Sequence, residues 1–150
     1  MSGPGFASRT AFALCAAAGL LCACGEPPDD SEQRRVQERL VGTWLREYRE
    51  DATTVRRVLV LEPDGRFREM AAARTAGARV TEFAHSGEWT FDGTNLKRRY
   101  TLMDGKRPAA PIVPFATFEL RFPSPDEFIG VDNVRRRQVH YRRVGEGTLP

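Results

Sequence analysis

Ala116-Thr117-Phe118-Glu119-Leu120-Arg121-Phe122 runs straight into Pro123-Ser124-Pro125-Asp126. Ala116, Phe118, Leu120 and Phe122 fall on one parity and Thr117, Glu119 and Arg121 on the other. A period of two with a polar opposite face predicts a strand buried on one side only. The Pro/Ser/Asp cluster after it supplies turn chemistry, because proline presets φ and aspartate bonds its own backbone. The pattern continues on both sides. After the turn come Glu127–Val131, the turn Asp132-Asn133, and Val134–Val144, in which Val139 and Tyr141 oppose Gln138, His140 and Arg142.

Before it, Gly42–Arg49, Val55–Glu62, Arg66–Ala73, Ala78–His85, Glu88–Phe91 and Leu96–Met103 read as further strands. Pro63-Asp64-Gly65, Asp92-Gly93-Thr94-Asn95 and Asp104-Gly105 separate several of them with hairpin signals. No interval has room for a βαβ crossover. Some eight closely spaced strands predict an all-β fold: an antiparallel up-and-down β-barrel or closed sandwich. In Leu96–Met103, Leu96, Tyr100 and Leu102 align, but Arg98 shares their parity. In Arg66–Ala73, Phe67 and Met70 fall on opposite faces, so alternation there is poor. Upstream, Asp30 to Leu40 reads as a short helix. Asp30 serves as N-cap with Gln33 three residues on, and Val36 and Leu40 share one face. One apolar pair predicts light packing on the body.

The chain has 150 residues, enough for one domain, with 41% hydrophobic and 29% charged side chains. That is globular composition. Lys and Arg number 23 against 20 Asp and Glu, a formal charge of +3. So even a balance does not call for nucleic acid, and no nucleic-acid partner is expected. Lys97 and Lys106 are the only lysines. The three cysteines, Cys15, Cys22 and Cys24, all lie in the first 24 residues.

That opening has the layout of an export signal. Arg9 is its only charge, and the apolar run from Ala11 to Ala23 is too short to span ~30 Å as a helix. Leu21-Cys22-Ala23-Cys24-Gly25 resembles the bacterial lipobox, with leucine three residues before the acceptor cysteine and a small residue just before it. The resemblance implies cleavage before Cys24, a diacylglycerol thioether on its sulfur and, in many bacteria, an N-acyl chain such as palmitate. Cys22 as acceptor would put Leu21 in the small-residue position. Two or three acyl chains, at ~0.8 kcal/mol per buried CH₂, anchor stably to a membrane. The organisation expected is a signal peptide over 1–23, a lipidated tether over 24–31 and a β domain over 32–150. Removing the signal leaves Cys24 as the sole cysteine, so no disulfide supports the fold.

Leu40-Val41-Gly42-Thr43-Trp44 at the start of the β region resembles the Gly-x-Trp opening of lipocalins and of small bacterial lipocalin-like lipoproteins. Leu61-Glu62-Pro63-Asp64-Gly65-Arg66-Phe67 and a second Gly-x-Trp, Ser86-Gly87-Glu88-Trp89-Thr90-Phe91, resemble the latter group. Together they span about residues 40–144. The resemblance implies a barrel closed at the end that carries Trp44 and open at the other to a small apolar ligand. It also implies an arginine of the last strand over Trp44. Arg143 shares a face with Val139 and Tyr141 and is the expected partner, with Arg142 the alternative.

Trp44, Trp89, Arg98, Tyr100, Phe118, Leu120 and Tyr141 are the candidate pocket residues. For the tryptophans the competing role is plain core anchoring, since each buries roughly 150–250 Å². An arginine inside a barrel costs several kcal/mol unless paired. Arg98 therefore either shifts to the surface or meets an acidic ligand head group. His85, Ser86 and Glu88 offer a base, a hydroxyl and a carboxylate. Neighbours in a strand point to opposite faces, however, so His85 and Ser86 do not form a catalytic pair. No catalytic residue, metal or cofactor is expected, because His85 and His140 lack a ligand spacing. Arg135-Arg136-Arg137 and Arg142-Arg143 form a basic stripe, read as a solvated face or as contact with anionic lipid or glycan. The expectation is a monomeric, membrane-anchored envelope protein, non-catalytic, that binds a small hydrophobic ligand. A solid β module that contacts envelope proteins or cell wall is the alternative. Gly25 after Cys24 favours the periplasmic face of the outer membrane for such a lipoprotein in a Gram-negative cell; in a Gram-positive cell the same anchor would hold it outside the plasma membrane.

Overall fold

Apolar residues on alternate positions of successive strands can be buried together only if the sheet curls until its edges meet. The computed structural model, which describes residues 30–112 and 114–150, shows that outcome. Helix α1 (Asp30–Leu40) precedes strands β1 (Gly42–Glu50), β2 (Thr53–Leu61), β3 (Arg66–Thr75), β4 (Thr81–Phe91), β5 (Asn95–Met103), β6 (Phe115–Ser124), β7 (Glu127–Asp132) and β8 (Arg137–Val144). Each strand pairs antiparallel with the next, and β8 returns to β1 through Thr43–Val144, Trp44–Arg143 and Leu45–Arg142. The result is a closed up-and-down barrel of eight strands, which leaves no open edge. Among the described residues no helix is long and apolar enough to cross a membrane. The signal segment, Cys24 and most of the tether lie outside the described residues.

Two stretches expected as separate strands, Ala78–His85 and Glu88–Phe91, are one strand, β4, with a register shift at Ser86/Gly87. The bulge absorbs the irregularity that reads as a break in the sequence. Gly87 makes it possible: a Cβ there would lie 1.9 Å from the Arg99 carbonyl oxygen. Val134–Arg136 belong to the β7–β8 turn and not to the last strand, with Arg136 at φ 55°.

The core lies toward one end of the barrel. Trp44, Leu59, Leu61, Phe67, Trp89, Phe91, Leu96, Phe128, Val139 and Tyr141 are buried there. Phe128 is central to it, edge-on to Trp44 at 4.7 Å between ring centroids and stacked on Tyr141 at 4.8 Å. Helix α1 lies across this end and packs more firmly than its single apolar pair suggests. Leu40 is fully buried and Val36 packs against the same cluster. Gln33 does not turn back to cap its own helix; its Nε2 donates to the Phe91 carbonyl at 3.1 Å. The Trp44 indole donates to the Leu40 carbonyl at 2.8 Å, and Arg39 donates to the carbonyls of Ser124 and Pro125.

Candidate functional site

The two ends of the barrel differ because their inward residues differ. At the helix-capped end, Arg143 lies over the Trp44 ring, 4.3 Å from its centroid, and donates to the carbonyls of Val41 and Arg39. Gly42 leaves space for it, since a Cβ there would sit 2.5 Å from Arg143 Nη1. Arg142 faces outward and pairs with Glu47. The guanidinium thus satisfies strand-end and helix-end carbonyls while covering an aromatic face. No room for a ligand remains here. Trp44 is fully buried, Trp89 donates its indole N–H to the Glu62 carbonyl at 2.9 Å, and Leu120 packs against the same core. These three expected pocket residues are core anchors.

At the opposite end the barrel opens into a cavity of about 350 Å³. Arg46 and Tyr48 of β1, Arg57 of β2, Arg98 and Tyr100 of β5, Ala116 and Phe118 of β6, and Val139 and Tyr141 of β8 line it. Arg49, Glu50, Arg135 and Arg137 stand around its mouth. Of the expected pocket residues the structure therefore brings Arg98, Tyr100, Phe118 and Tyr141 together.

Arg98 does not shift to the surface. It stays inward opposite Ala116, 4% exposed, because Glu69 meets it. Glu69, 1% exposed, receives Arg98 Nη1 on Oε2 at 2.6 Å and Arg57 Nη1 on Oε1 at 2.7 Å. The Arg98 guanidinium also sits among the rings of Phe67, Tyr100 and Phe118, 5.4 to 5.7 Å from their centroids. Burial by itself pushes the Glu69 carboxyl up. The charges of Arg98 and then Arg57 outweigh it and hold that carboxyl below the ordinary carboxylate range. Burial likewise opposes the charge on Arg98, and the adjacent Glu69 carboxylate more than compensates, so its pKa is raised. Burial raises the phenols of Tyr100 and Tyr141, which stay protonated at neutral pH.

Sequence reasoning missed Glu69, Arg57 and Arg46. Phe67, Glu69, Ala71 and Ala73 share one parity, and Glu69 is the only acid on it. Matching that lone inward acid of β3 to Arg98, the one cation on the inward parity of β5, is the signal that finds the pair. Pairing Phe67 with Met70 as the apolar marks of β3 hides it.

His85 faces inward across from Glu69, its ring 5.9 Å from Tyr100, while His140 is exposed on the outer face of β8. The two histidines do not meet. Among the described residues no cluster of three His, Cys, Asp or Glu side chains is arranged to hold a metal. Ser86 lies on the opposite face from His85. No family model and no curated protein matches the chain.

Proposed function

We propose that this chain is a lipid-anchored envelope protein whose barrel binds a small molecule in its open mouth without transforming it. The observation that carries the reading is the asymmetry of the interior. One half is filled by Trp44, Trp89 and Phe128, and the other holds a 350 Å³ cavity walled by aromatic and polar side chains. A concave site with apolar walls and a few converging polar groups is the usual form of a small-molecule site. Phe118, which would help to fill a solid module, instead lines the cavity.

The lipid anchor is proposed from the lipobox at Leu21–Cys24 and the outer-membrane placement from Gly25. Membership of the lipocalin-like lipoproteins is proposed from the Gly-x-Trp motifs, supported by the eight-stranded closure and by Arg143 over Trp44. A module that docks on an envelope protein is the second reading. The observation in its favour is the exposed apolar trio Leu102, Ile112 and Phe115 near the β5–β6 connection.

Native mass spectrometry of the protein purified from its own envelope in mild detergent tests the first reading. A reproducible bound mass of a few hundred daltons supports it, and an empty barrel under the same conditions turns the search to partners on that trio. Cys24→Ala should move the protein to the soluble fraction. Retention on the membrane, with no acyl mass on the wild-type chain, overturns the anchor.

A further inference from the structure

We infer that the mouth of the barrel is a site for a small organic oxyanion, a carboxylate or phosphomonoester on a compact apolar body, received by Arg57 and Arg46 above Arg98. The inference rests on the binding function proposed above and adds the charge and size of the ligand.

Three guanidiniums, those of Arg46, Arg57 and Arg98, line the cavity; Glu69 pairs with two of them from behind the wall, and Glu50 stands at the mouth. Glu69 is shared by Arg57 and Arg98, so the interior carries an excess of positive charge. Arg46 and Arg57 are direct cross-strand partners, both pointing inward. Like charges placed opposite each other in a sheet repel, and a low-dielectric interior strengthens that repulsion. An anion between them turns the repulsion into two attractions.

A second, independent feature points the same way. Arg98 Nε and Arg57 Nε are buried, and neither has a hydrogen-bond partner among the described residues. Each guanidinium spends one Nη on Glu69. Arginine is suited to planar, two-point recognition of carboxylate and phosphate, so a guanidinium that turns its unused edge to the cavity can receive an oxyanion. Glu69 already demonstrates the fit of a carboxylate between these two arginines.

The remaining walls define the rest of the ligand. Tyr48, Tyr100 and Phe118 offer flat apolar surface beside the cations. The 350 Å³ volume lies near the lower end of small-ligand sites, roughly 300–1,000 Å³, which favours a compact body over a long acyl chain. Arg135 and Arg137 at the rim extend the positive field outward and steer an approaching anion. A cationic ligand meets Arg135 and Arg137 at the rim and three guanidiniums inside, against the single opposing charge of Glu50. A neutral one leaves the excess positive charge of the lining uncompensated.

The test uses the full chain in non-ionic detergent and four probes of one size: benzoate, phenyl phosphate, benzyl alcohol and benzylamine. Isothermal titration calorimetry against detergent blanks should show one-to-one binding of benzoate or phenyl phosphate at least tenfold tighter than benzyl alcohol, with no benzylamine binding. Preference between the first two identifies the oxyanion. Arg46→Gln, which lies outside the Glu69 network, should weaken the preferred anion about tenfold, some 1.4 kcal/mol, without lowering the urea midpoint, because its repulsion of Arg57 goes with it. Arg57→Gln should do the same to affinity, with Arg98 still paired to Glu69. Benzyl alcohol binding as tightly as the anions, or indifference of anion binding to both substitutions, overturns the oxyanion site. If native mass spectrometry then finds a neutral ligand in the protein, the binding function stands without this inference. Binding of none of the four probes, together with an empty native spectrum, overturns both.

Discussion

Replacing Glu69 by glutamine keeps the side chain's shape and removes the one negative charge at the centre of the barrel. Arg57 is one-quarter exposed at the mouth and can turn its guanidinium to water, but Arg98, 4% exposed, cannot. Breaking a buried pair from one side strands the other charge, which costs about 3–5 kcal/mol. Glu69→Gln should therefore lose about 3 kcal/mol or more. Arg98→Met removes the stranded cation instead and leaves Glu69 held by Arg57 at 2.7 Å, for a loss of about 1–2 kcal/mol. The double variant contains no buried charge at this level and should recover most of the Glu69→Gln loss, a coupling of at least ~2 kcal/mol. Urea unfolding followed by tryptophan fluorescence measures all four proteins. With a slope of about 1–3 kcal/mol/M, a loss of 3 kcal/mol moves the midpoint by ~1–3 M. A Glu69→Gln loss below ~1 kcal/mol, or single losses that simply add, would refute the idea that this pair governs the interior. The pH dependence follows from the same group. The folded carboxyl titrates below its ordinary range, so the unfolded chain takes up the proton first. The stability it contributes is complete above that range and is lost as pH falls through it toward the folded value. Glu69→Gln should lack this acid-side slope.

Three further substitutions probe the frame around the site. Gly87→Ala forces a methyl against the Arg99 backbone oxygen at 1.9 Å, a collision that a flexible side chain cannot relieve. It should cost ~3 kcal/mol or more in urea unfolding, and a change under 1 kcal/mol would mean that the β4–β5 bulge can slip. Arg143→Gln removes the cover over Trp44 and donors to Val41 and Arg39, so about 1–3 kcal/mol of stability should go with it. Faster amide exchange confined to α1 is its second signature. Asp92→Ala removes acceptors for the backbone N–H groups of Thr94 and Asn95, at 3.0 and 2.7 Å, and the Lys97 partner at 2.7 Å. This exposed turn should lose about 1 kcal/mol with no effect on ligand affinity.

The distribution of legible and illegible features follows the range of the forces involved. Alternation in Ala116–Phe122 and the turns at Pro63–Gly65 and Asp92–Asn95 are local, and the strands they predict are present with ends shifted by one to a few residues. The helix over Asp30–Leu40 was readable for the same reason. The split of β4 was misread because a bulge and a break look alike until the partner strand is known. Trp44 and Trp89 read most simply as core anchors, with a pocket wall as the rival, since a large aromatic residue serves either role. Only its height in the barrel separates them.

By itself the sequence determined the class of fold: period-two apolar patterning with hairpin turns and no crossover admits an antiparallel sheet that must close on its own apolar face. It also exposed the anomaly at Arg98. The tertiary structure alone decided what that anomaly means. Glu69 lies 29 residues from Arg98 in the chain, two strands away around the barrel, and Arg57 lies on yet another strand. Burial energies depend on which charges end up within 3 Å of one another, and strand pairing with barrel closure sets those distances. No short-range pattern encodes them.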